Sequence, residues 1–199
     1  MKNEKVVFLD ASRKTSTYPQ RSLPVLLEQI RDYSSNELNQ LFVTMLDDAD
    51  DVFFDLADKA RSNSDQSLFF NSMREIRIIR KRMEATFSQE LKNNFLKLQA
   101  VKKLIEDNNI EQLPIDALSL VQEDELEENL ALNSMVAKAD AVHKSSLHQI
   151  VTRLDTLLAN LRIDKSNNPL SPKLICESFR RSSQPLELDI KARLVVFKL

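Results

Sequence analysis

Between residues 34 and 61 apolar side chains recur at Leu38, Leu41, Phe42, Met45, Leu46, Ala49, Val52, Phe53, Leu56, Ala57 and Ala60. Steps of three and four keep such residues on one side of an α-helix, which turns about 100° per residue. The opposite side of the same wheel collects Asp47, Asp48, Asp50, Asp51, Asp55 and Asp58. One face asks for a core and the other carries carboxylates. Ser34, followed three residues later by Glu37, has the form of a capping box, so the helix is expected to open there and run to about Arg61. Upstream, Ser22 and Pro24 predict a short separate helix over the stretch LPVLLEQIRDY.

A break at Ser62-Asn63-Ser64 precedes a second pattern, Phe69, Met73, Ile76, Met83, Phe87, Leu91, Leu98, Val101 and Ile105, which continues to about Asp107. Spacings of three, four and seven make this a long seam, with Arg80 and Asn94 as its polar positions. So short a break leaves helices over 34–61 and 65–107 one arrangement, a long antiparallel hairpin. The turn near residue 63 sets Asp47, Asp50 and Asp51 level with roughly residues 74 to 80. Arg80, on the seam, is then the candidate for a buried ion pair that fixes register.

Beyond a connector containing Pro114, further helices are expected over about 123–144, 146–162, 171–182 and 186–199. The acidic run from Glu123 to Glu128 suits the positive end of a helix macrodipole, and Ser171-Pro172 reads as an N-cap followed by proline at the first helical position. The fold class is all-α: a mobile tail over 1–21, then a single helical domain over 22–199. The uncapped apolar end LELDIKARLVVFKL suggests the front part of a longer protein.

Composition sharpens this picture through one absence. The 199 residues include no glycine, which removes the easiest route to tight primed turns, bulges and phosphate-cradling loops. Strand-rich folds and Rossmann or P-loop sites are therefore not expected. Helix ends fall to asparagine, and Asn63, Asn108, Asn109, Asn167 and Asn168 stand where helical patterns stop. Cys176 is the lone cysteine, so no internal disulfide or zinc cluster is available and a buried small hydrophobe is the expected role. Val6–Leu9 is too short for a signal peptide or membrane span, which places the chain in a reducing cytoplasm.

The net charge of −2 hides alternation: −6 over 35–60, +5 over 61–106, −7 over 107–145 and +4 over 146–199. Neighbouring antiparallel helices of opposite sign partly neutralise one another. The same argument covers the basic run Arg74, Arg77, Arg80, Lys81 and Arg82, whose poor aromatic interleaving makes nucleic acid an unexpected partner.

Two candidate chemistries remain. Asp47, Asp48 and Asp51 form a DDxxD pattern, which can hold Mg²⁺ and a diphosphate in helical enzymes. Such sites line deep apolar cavities, whereas these carboxylates face away from the apolar stripe, so no metal site or cofactor is expected and magnesium stays the alternative. The second is adhesion: Val43 and Phe54 lie among the carboxylates, either covered by another helix or open to a partner. His143 and His148, five residues apart, point to different sides and form no legible catalytic set.

The blocks 41–84 (with DDADD, DLADKA and the following Asn), 118–139 (with DELEE), 167–179 and 188–199 together resemble the opening of a large proteobacterial helical family of unknown function. Members are usually longer, which agrees with an N-terminal portion. Some are catalogued as thymidine phosphorylase, an activity not expected of a glycine-free chain because phosphate must be approached closely by backbone. Some longer relatives carry a PilZ-like cyclic-di-GMP domain, whose signature needs a glycine that this segment lacks. The resemblance and the residues converge on a non-catalytic scaffold or protein-interaction module of a bacterial regulatory protein, with Val43, Phe54, Arg77 and Arg80 as interaction candidates and a protein partner or a second copy as occupant.

Overall fold

The computed structural model describes residues 25–106, 123–158 and 162–199. Six helices, and no strand, occur among the described residues: α1 (Val25–Asp58), α2 (Asn63–Glu106), α3 (Glu123–Val142), α4 (Lys144–Leu157), α5 (Pro172–Ser183) and α6 (Ile190–Val196). The all-α expectation holds. The expected tail over 1–21 and the connector around Pro114 lie outside the described residues.

Helices α1 and α2 form the antiparallel hairpin, about 50 Å and 65 Å long at 1.5 Å per residue. Its register is read from cross-helix pairs that step in opposite directions: Arg77 meets Asp50, and Arg80 meets Asp47. Phe53 packs on Phe69 near the turn, with ring centroids 6.3 Å apart, and Phe42 packs on Phe87 further along at 4.5 Å. The turn is closed chemically. Ser62 Oγ accepts from the Asp65 backbone N–H at 3.0 Å, the N-cap of α2, and donates to Asp65 Oδ2 at 3.0 Å. Asn63, expected to end the first helix, is instead the first residue of the second.

The structure corrects the start of α1. No break occurs at Ser34; one helix runs from Val25. Ser34 Oγ donates back to the Ile30 carbonyl at 2.6 Å, so the hydroxyl that resembled a cap is satisfied inside the helix. Continuation is rewarded by packing, because Leu27 is fully buried in a second core cluster with Phe95, Leu98, Leu154, Leu158 and Ile163. This cluster lies at the open end of the hairpin and recruits α4.

The main core sits along the middle of the hairpin and takes in the remaining helices. Leu41, counted on the apolar face of α1 by its spacing, is left exposed. Phe179 of α5 meets Phe42 edge-on at 6.0 Å and Phe197 at 5.2 Å, linking the hairpin to the C-terminal residues. Helix α5 approaches α2 closely because its inward side is small. Ser178, Ser182 and Ser183 are all buried, their hydroxyls returned to backbone carbonyls of α5 itself. Asn94, the polar seam position, is buried opposite and donates to Ser178 Oγ at 3.1 Å.

Three further boundaries differ from expectation. Helices α3 and α4 meet at His143 rather than at about residue 145, and α4 is described to Leu157. Backbone hydrogen bonds from His143 to Ala139 and from Leu147 to His143 carry the ladder across, so the junction is a kink. The helix expected over 186–199 spans only Ile190–Val196. Leu186–Asp189 is non-helical, with Leu186 buried and Asp189 accepting from the Lys191 backbone N–H as the N-cap of α6.

Candidate interaction surface

Two sides of the hairpin have different fates. One is covered by α5, α6 and the extended residues before α6, tied down by Arg181–Glu90 at 2.6 Å and Lys191–Asp65 at 2.6 Å. On the other, the polar contacts between helices among the described residues join α1 to α2. Val43, Asp47, Asp50 and Phe54 follow one another at helical spacing along this open flank of α1. Arg80, Arg77 and Phe70 stand beside them on α2.

Arg80 organises the flank. Its guanidinium donates to Asp47 at 2.6 Å, to Glu84 one turn along at 2.9 Å and to the Val43 carbonyl at 3.3 Å. The Asp47 and then the Glu84 hydrogen bonds push the Arg80 pKa further above its ordinary value, and the Arg80 bond holds Asp47 below the usual carboxylate range. The expected buried ion pair is nevertheless not buried. The Arg80 side chain is 25% exposed and that of Asp47 62%. A long side chain rooted near the seam lays its stem along apolar surface and brings its charge out to water. Arg77 repeats the arrangement with Asp50 at 2.7 Å.

Among the described residues no helix covers Phe54. It is 56% exposed and meets Phe70, itself 37% exposed, edge-to-face at 6.3 Å. Phe70 is absent from the residues that the sequence pattern singles out, although it is legible as a surplus aromatic: Phe69 takes the seam position, leaving its neighbour on the flank. Val43 is half-buried beneath the Arg80 contact.

Asp47 is engaged by Arg80, whereas Asp48 and Asp51 are exposed and take part in none of the ion pairs on this flank. No group of three or more His, Cys, Asp or Glu is arranged to hold a metal among the described residues. His143 and His148 are both exposed. Cys176 lines an apolar cleft of about 320 Å³ with Leu147, Ile150 and Ile175, and burial, with Glu177 second, pushes its thiol pKa up. No described helix is long and apolar enough to cross a membrane.

A family model described as "Protein of unknown function (DUF1631) N-terminal domain" matches residues 22–199. The chain belongs to this family. The match begins just before α1 and takes in every helix of the DUF1631 domain described above. No curated protein and no solved structure gives a significant match.

Proposed function

We infer that this DUF1631 domain is a non-catalytic helical module through which a cytoplasmic bacterial regulatory protein engages another protein surface. The observation that carries the reading is the exposed Phe54–Phe70 pair, set on the α1–α2 hairpin and bordered by the Asp50–Arg77 and Asp47–Arg80 ion pairs. Aromatic and arginine side chains are the groups that contribute most at protein interfaces, and adjoining exposed apolar groups rimmed by polar residues mark such sites. The engagement of Asp47 by Arg80 supports the non-catalytic half, because a carboxylate already neutralised by a guanidinium group is a poorer cation ligand. Any cyclic-di-GMP recognition belongs to other parts of the longer protein, as the family resemblance implies.

The test is site-specific photocrosslinking in the expressing cells, with a benzophenone side chain in place of Phe54 and, as control, in place of the exposed Lys92. A discrete protein adduct from position 54 and none from position 92 is expected. No adduct from position 54 in a chain of unchanged helicity would refute the interaction role. A magnesium titration by calorimetry should give no saturating heat; saturation that vanishes in Asp48→Asn would refute the non-catalytic half.

A further inference from the structure

The open flank carries its charges in two separate ridges. On α1 the exposed Asp47 and Asp51 stand outward of Phe54, and on α2 the exposed Arg74 and Lys81 stand outward of Phe70, with Arg77 turned inward to Asp50. The register fixed by Asp50–Arg77 and Asp47–Arg80 sets these ridges at matching heights, with Asp51 level with Arg74 and Asp47 level with Lys81. The surface is thus an acidic edge, an aromatic centre and a basic edge, side by side.

Such a surface is complementary to itself in one orientation. A two-fold axis in the plane of the flank and parallel to the hairpin exchanges left and right while keeping heights. It lays the acidic α1 of one copy on the basic α2 of the other, and Phe54 on the partner's Phe70. An axis across the hairpin would instead set α1 on α1 and place carboxylates against carboxylates. Isologous pairing of this first kind needs no second protein. Like-charge contact rejects the alternative.

The geometry points to a second copy of this chain as the occupant of the Phe54–Phe70 flank, in a two-fold dimer whose axis runs along the hairpin. This rests on the interaction reading above and names its partner. The intramolecular pairs do not exhaust the charges available, because Asp51 and Arg74 are exposed and form no ion pair with each other. Across the dimer each Asp51 faces the other copy's Arg74, twice per interface.

Sedimentation velocity on the purified chain over a range of concentrations is the test. A dimer that loosens as salt rises is expected. Asp51→Arg and Arg74→Asp, both at exposed positions that leave the core untouched, should each weaken it by more than about tenfold. An equimolar mixture of the two variants should then dimerise again, because each reversed charge meets its complement only on the other variant. A wild-type chain that stays monomeric, single variants that dimerise as well as wild type, or a mixture that stays monomeric would each overturn the proposal. A monomer whose position 54 still crosslinks to a different protein in cells would overturn the dimer alone and leave the interaction role standing. No adduct at all would remove both.

Discussion

Ser34→Ala and Ser62→Ala make the sharpest comparison that this fold permits, because the two serines share a sequence signature and not a structural role. Each is followed three residues later by an acidic residue, Glu37 or Asp65. Ser62 caps α2: its Oγ accepts from the Asp65 backbone N–H, and alanine there leaves a first-turn donor without that partner. Removing such a cap costs typically ~1 kcal/mol. Ser34 lies inside α1 with its hydroxyl on the Ile30 carbonyl. Alanine is the better helix former by roughly 0.5 kcal/mol, and the lost bond is one that competes with the helix rather than completing it. The two substitutions should therefore move stability in opposite directions. Urea unfolding followed by circular dichroism reads the difference. With a slope of about 2 kcal/mol/M, the midpoint should fall by ~0.5 M for Ser62→Ala and hold or rise by ~0.2 M for Ser34→Ala. A fall for Ser34→Ala as large as that for Ser62→Ala would refute the continuous α1 and restore a helix start at residue 34.

The neighbouring rings Phe53 and Phe54 should separate core from surface. Phe53 is fully buried against Phe69, so Phe53→Ala is expected to cost about 3–5 kcal/mol. Phe54→Ala, at a half-exposed position, should stay within about 0.5 kcal/mol in the monomer, and equal losses in urea unfolding would contradict this placement. Asp65 supplies a pH prediction. The Lys191 hydrogen bond, with Ser62 second, lowers its pKa below the ordinary value of 3.8. A depressed carboxylate pKa means stability that is present above 3.8 and is lost as pH falls through the lower folded value. Carboxyl-carbon NMR should show the Asp65 midpoint below 3.8 and rising towards it in Lys191→Met, whereas an unchanged midpoint would break the α2–α6 tie.

Periodicity alone makes several features of this chain readable. The seam through Phe69, Ile76, Met83, Phe87 and Leu91 lies in the core as its spacing demands. Asn94, the polar residue in that seam, is buried and bonded to Ser178. Arg80 does pair with Asp47, at the level implied by counting outward from the turn. These are one-dimensional facts about helices. A repeat of 3.6 fixes which residues share a side, and a short turn fixes which residues of the next helix lie alongside.

Coverage is the quantity such a pattern lacks. The all-α class, the hairpin and its register follow from the order of residues, because each rests on spacing along the chain and on the reach of a short loop. Packing between distant segments settles that Ser34 continues a helix, since the reward is Leu27 among Phe95 and Leu154 far along the chain. It likewise brings Arg80 to the surface beside Val43 and turns Leu186–Asp189 off the helical path. Spacing puts Phe53 on the seam against Phe69 and Phe54 on the flank, but whether that flank is covered is a matter of tertiary packing, and no described helix covers it.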